Sequence, residues 1–138
     1  MRPVTAVPTS NGPSPHQALR TLLAAEPGLL FAVLVGSRAT GKAHPTSDWD
    51  IALQWDFALP WLDVLGRTET LRRQLASVLQ VPEQAVDLIE LRRANLAMRA
   101  AVAEEGVVLY GDNTLDWERF LRRTWRELED FYWDQAHA

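Results

Sequence analysis

Asp48 and Asp50 stand one residue apart at the head of an apolar run, Trp49 to Trp55, WDIALQW. The run sets Trp49, Ile51, Leu53 and Trp55 against Asp50, Ala52 and Gln54, an alternation that predicts a β-strand. Side chains at i and i+2 of a strand share a face, so the two carboxylates share one site. Two ionised carboxylates that close repel each other unless a cation joins them or one is protonated. Hard divalent ions such as Mg²⁺ bind through one or two carboxylates together with substrate phosphates. The pair therefore fits metal-assisted phosphoryl or nucleotidyl chemistry, whereas read alone it would be an exposed pair at a strand end.

The surrounding residues favour the chemical reading. Gly36-Ser37 precedes Asp48 by ten intervening residues. Gly36 lets backbone approach a phosphate without a Cβ in the way, and Ser37 adds a hydroxyl beside the free N–H groups of a strand end. Gly41 and Pro45 turn the chain back so that the strand carrying Asp50 returns to Ser37. Further on, Asp87 interrupts the apolar segment AVDLIEL, Ala85 to Leu91, where a carboxylate is costly unless paired or metal-bound. Three carboxylates could hold two metal ions across an in-line displacement, with Asp87 as general base for the attacking hydroxyl. Glu90 lies at odd spacing from Asp87, faces the other way and is read as structural. Arg38, Lys42 and His44 lie in the loop as phosphate-contact candidates or merely solvated charges, and His16 and His137 lie near the termini without metal-ligand spacing.

These residues need elements to hold them. The stretch from 1 to 15, rich in Pro and Ser, reads as a flexible leader, and 16–138 as a single domain. A helix beginning at Ser14-Pro15 carries Ala18, Leu19, Leu22 and Leu23 on one face. Leu29 to Val35 reads as a buried strand ending at Gly36. After the strand of Asp50, Pro60 to Leu79 has a helical apolar stripe with Arg67, Arg72 and Arg73 among its polar positions. The Asp87 strand follows, then a helix from about Arg92 to Glu105 stopped by Gly106, and a short edge strand, VVLYG. The last helix, over 114–136, is capped by Asn113 or Thr114 and carries six of the chain's twelve aromatics. They either complete the core or meet a partner. The order specifies an α/β (α+β) fold, a small mixed sheet flanked by helices.

Composition narrows the options. A chain of 138 residues without cysteine has no disulfide and no thiolate metal site; the expected setting is the cytoplasm. No apolar run is long enough for a membrane span. A net charge of −4 does not suit a broad nucleic-acid surface, and no direct nucleic-acid binding is expected.

The Gly36-Ser37-x(10)-Asp48-x-Asp50 pattern, the SDWDIAL continuation, the later Asp87 strand and the EEGVVLYGD segment resemble the minimal nucleotidyltransferases (MNT) of the superfamily that includes DNA polymerase beta. The resemblance covers about Leu22 to Asp112. It implies a nucleotidyltransferase fold and transfer of AMP from ATP with release of pyrophosphate. It further implies two Mg²⁺ ions on Asp48, Asp50 and Asp87, a triphosphate held by Gly36 and Ser37, and a partner HEPN ribonuclease toxin modified on a tyrosine. On that resemblance the chain is expected to be an antitoxin. The alternatives are a nucleotidyltransferase for a small molecule of the aminoglycoside type, or an antitoxin that only binds. Trp49 stands where the family more often has a smaller aliphatic residue, and the question it raises is whether the ring faces the core or the nucleotide cleft.

Overall fold

The computed structural model describes residues 14–138, so the expected leader lies outside the described residues except for Ser14 and Pro15, which start the first helix. That helix, α1 (Pro15–Ala24), opens as its sequence requires: the Ser14 hydroxyl accepts from the Gln17 amide and Pro15 fills the first turn. Chain order then gives β1 (Leu29–Val35), a single helical turn α2 (Ser37–Thr40), β2 (Trp49–Trp55), α3 (Trp61–Leu79), β3 (Val86–Glu90), α4 (Leu96–Glu105), β4 (Val107–Tyr110) and α5 (Leu115–His137).

The strands form one sheet in the order β3-β2-β1-β4. β1 pairs antiparallel with both β2 and β4, whereas β2 and β3 run parallel, with α3 lying in the connection between them. β4 lies at an edge, as expected, and β3 lies at the other.

Both faces of the sheet are covered. Trp49, Ile51, Leu53 and Trp55 of β2 pack with Leu19 and Leu23 of α1 and with Val64, Leu71 and Leu75 of α3. On the other face Ala52 joins Phe31, Val33, Val35, Leu91, Val102 and Phe120. The face of β2 that the sequence makes more polar is thus buried too, Gln54 included. Its amide satisfies one donor on the carbonyl of Trp55 at 3.1 Å.

One element departs from its expected bounds. The helix read over Arg92–Glu105 is interrupted: Leu91–Arg93 form a 3₁₀ turn and α4 begins only at Leu96. Two caps impose the break, the Glu90 carboxylate accepting from the Arg92 amide at 2.9 Å and the Asn95 side chain accepting from the Met98 amide at 2.9 Å. Of the two cap candidates for α5, Thr114 does the work, accepting from the Trp117 amide.

α5 divides between the two fates its aromatics allow. Trp117 and Phe120 pack on Phe31 at ring separations of 5.1 and 5.4 Å. Two turns further, Glu127 receives the buried Arg99 of α4 in a two-pronged pair at 2.8 and 3.2 Å. Beyond it Phe131, Tyr132 and Trp133 are exposed.

Candidate active site

Strand register assembles the candidate carboxylates. Asp50 is the neighbour of Asp87 across the parallel β2–β3 pair and of Val35 across the β1–β2 pair. Register partners on adjacent strands point to the same face, with backbones about 4.8 Å apart. Asp48 lies just before β2. It and Asp87 are exposed, while Asp50 is half-buried. No ion pair among the described residues includes any of the three. Burial pushes the Asp50 carboxyl above its ordinary range, and the negative charges of Asp87 and then Asp48 push it further.

Gly36 is the hinge between β1 and α2, with φ 72° and ψ −158°, a backbone region essentially restricted to glycine. A second reason for glycine lies in the space it leaves: a Cβ at this position would collide with Oδ2 of Asp50. The residue read as making room for a phosphate makes room here for a carboxylate. Ser37 is the first residue of α2, so Gly36, Ser37 and Asp50 occupy one corner of the sheet. Gly41 ends α2 in the left-handed conformation at φ 79°, as its turn role requires.

The return loop is tied down by a residue read as a phosphate candidate. Arg38 donates from Nε and Nη2 to the carbonyl of Ser47 at 3.1 and 2.8 Å, and Nη2 lies 3.4 Å from the carbonyls of both His44 and Pro45. Its guanidinium also lies 4.1 Å from the centre of the Trp49 ring. Trp49 itself is only 7% exposed and belongs to the core, which answers the question its size raises. Lys42 and His44 are exposed, the latter paired through its ring nitrogen with the Thr46 hydroxyl at 2.9 Å. His16 packs edge-on to Trp49 at 6.1 Å.

A cleft of about 420 Å³ opens beside these residues, lined by Asp48, Asp87, Val86, Glu83, Gln84 and Arg72. Arg72 is the cleft-lining residue that motif reading misses. It projects from α3, donates to the carbonyl of Val86 beside Asp87, and is held by Glu69 at 3.1 and 3.3 Å. Its helical position looks merely solvent-facing until the parallel pairing brings β3 against α3. Glu90 caps a turn, consistent with its structural reading.

The donor set suits Mg²⁺ in kind: hard carboxylate oxygens, like-charged, uncompensated by any cationic side chain in an ion pair and, for Asp48 and Asp87, facing a cleft. It is not a closed cage, since among the described residues no group of three or more His, Cys, Asp or Glu is arranged to hold a metal ion. An incomplete protein ligand set is the form expected of Mg²⁺, which takes much of its shell from water and substrate phosphates. Among the described residues no helix is long and apolar enough to cross a membrane.

Sheet, hinge and carboxylates together define a nucleotidyltransferase, and the chain belongs to the polymerase beta nucleotidyltransferase family, whose model matches residues 17–115. It is 30% identical over 105 residues to the protein adenylyltransferase MntA of Aphanizomenon flos-aquae, covering 74% of this chain and 70% of that protein. Its fold matches a chain of a toxin–antitoxin crystal structure with AMP-PNP at a TM-score of 0.68 and 28% identity, over 88% of this chain and 93% of that one. It also matches a chain of the tri-AMPylated Shewanella oneidensis HEPN toxin in complex with MNT antitoxin, at 0.63 and 25% identity, over 89% and 91%. The resemblance to the minimal nucleotidyltransferases drawn from the motif is borne out.

Proposed function

We propose that this chain is the antitoxin of a toxin–antitoxin pair and transfers AMP from ATP to a tyrosine of a partner HEPN ribonuclease toxin, neutralising it. The observation that carries the reading is the register pairing of Asp50 with Asp87 beside a glycine that has no room for a side chain. The MntA relative, named a protein adenylyltransferase, and the neighbour in complex with a tri-AMPylated HEPN toxin support the acceptor class. The AMP-PNP of the other neighbour, an ATP analogue, supports ATP as the donor.

In this reading Gly36 and Ser37 hold the triphosphate and orient its α-phosphorus toward the cleft. Asp87, exposed on an edge strand, accepts the proton of the incoming tyrosine hydroxyl. The tyrosine oxygen forms a bond to the α-phosphorus, the bond from that phosphorus to the oxygen bridging to the β-phosphate breaks, and pyrophosphate leaves with that electron pair. Asp48, Asp50 and Asp87 would hold two Mg²⁺ ions, which supply charge neutralisation at the attacking and leaving oxygens. The desolvated Asp50 is the carboxylate with most to gain from a cation, because burial and both neighbours disfavour its charge.

Incubation with ATP, Mg²⁺ and the product of the neighbouring gene, tested as the HEPN partner, is expected to raise the mass of that product by one or more AMP groups. Asp48→Ala should abolish the shift. An unmodified partner that is nevertheless neutralised would overturn the enzymatic reading in favour of an antitoxin that only binds.

A further inference from the structure

We infer that Arg38 is the positioning residue for Asp48, a clamp that fixes the metal-facing carboxylate from both sides instead of gripping a phosphate. The inference rests on the nucleotidyltransferase reading above. The carbonyl of Ser47, which takes two prongs of the guanidinium at 2.8 and 3.1 Å, belongs to the peptide unit whose nitrogen is that of Asp48. Peptide planarity means that holding this oxygen orients the plane from which Asp48 departs. On the other side of Asp48 stands Trp49, over whose buried ring the same guanidinium lies, its carbon 4.1 Å from the ring centre. One side chain thus holds the residue before the carboxylate by its carbonyl and the residue after it by its ring.

The need for a clamp follows from the electrostatics. Asp48 is exposed, lies outside the regular strand, and carries the same charge as Asp50, whose carboxyl it disfavours. The loop's own bonds, His44 amide to Ser47 hydroxyl at 3.0 Å and Ser47 amide to His44 carbonyl at 2.9 Å, close a turn without tying it to the body of the protein. Arg38 makes that tie, also reaching the carbonyls of His44 and Pro45. The planar fork matters: a lysine ammonium can carry the charge but cannot hold several carbonyls in one plane and stack on an indole.

The test compares wild type with Arg38→Met and Arg38→Lys in the full chain, by three measurements. Amide exchange over residues 42–48 is expected to quicken by about tenfold or more in both variants, while the β1 and β2 amides hold their protection. Mn²⁺ affinity, read by the free-ion electron paramagnetic resonance signal, and kcat for AMP transfer should each fall roughly 10- to 100-fold, as when a residue supporting a metal ligand is lost. KM for ATP should stay within about threefold, because Arg38 does not touch the nucleotide. A raised KM with unchanged kcat would overturn the clamp in favour of a phosphate contact, as would full rescue by Arg38→Lys. Unchanged exchange and Mn²⁺ affinity would overturn it outright. If wild type transfers no AMP, the adenylylation reading fails, while the exchange and Mn²⁺ measurements still decide the clamp.

Discussion

Gly36 and Asp50 constrain each other: the backbone turn that only glycine adopts readily leaves the volume that the Asp50 carboxylate fills. Gly36→Ala would therefore be strained in its own backbone, by roughly 1–3 kcal/mol, and would also displace the carboxylate. AMP transfer by this variant should fall on the order of 100-fold, since misplacing a reacting group by about an ångström carries such a loss; a time course of partner mass measures it. Asp50→Asn separates stability from function. A carboxyl whose pKa is raised in the fold contributes stability that is present below its unfolded pKa and is lost as pH rises through the folded pKa. At neutral pH the metal-free wild type thus bears a charge the fold disfavours. Asp50→Asn should melt higher than wild type at pH 7 in a chelator, with the gap closing toward about pH 4, and should transfer no AMP. A lower melting temperature for the variant at pH 7 would contradict this account.

At the scale of elements, α5 is held by its first half and by one charged pair. Phe120→Ala is expected to cost about 3–5 kcal/mol in denaturant unfolding, because Phe120 is buried against Phe31 and Trp117. Trp133→Ala, at an exposed position, should stay within about 0.5 kcal/mol. Arg99 is buried to 9% exposure, and Glu127→Ala leaves it without its carboxylate, at a cost of about 1–3 kcal/mol at neutral pH. The Arg99 hydrogen bonds, and the charges of Arg99, Arg123 and Arg126, hold the Glu127 carboxyl below its ordinary range. That contribution is present above the unfolded pKa, about 4.3, and is lost as pH falls through the lowered folded value. Unfolding curves of wild type and Glu127→Ala should therefore converge only in acid below about pH 4. β1 and β2 are legible in the sequence to the residue, because an apolar run closed by Gly36 and a strict alternation each have one reading. The break before α4 is less so, since its helical periodicity runs on through Ala94 and only the Asn95 cap marks the true start. The backbone partners of Arg38 and Arg72 were not legible, because which carbonyl lies within reach of each guanidinium is decided by loop closure and strand pairing. The three aspartates could be named from spacing, but their sharing of a corner depends on the register of β2 with β3, which spacing leaves open.

Across the whole molecule the sheet separates two apolar layers, α1 and α3 on one side and α4 and α5 on the other. The aspartates emerge at a strand end, where a side chain can be wet on one flank and supported by the core on the other. The sheet's mixed character also bears on how the protein comes into being. The antiparallel β1–β2 pair joins segments separated by a short loop, but the parallel β2–β3 pair requires α3 to be traversed first, and such distant closures are the slow ones. Gly36, Asp48 and Asp50 lie on segments a short loop apart, whereas Asp87 reaches them only through the more distant β2–β3 pairing. The three aspartates thus come together only when the β2–β3 pair closes, a separate step from the hairpin that brings Asp50 to Gly36.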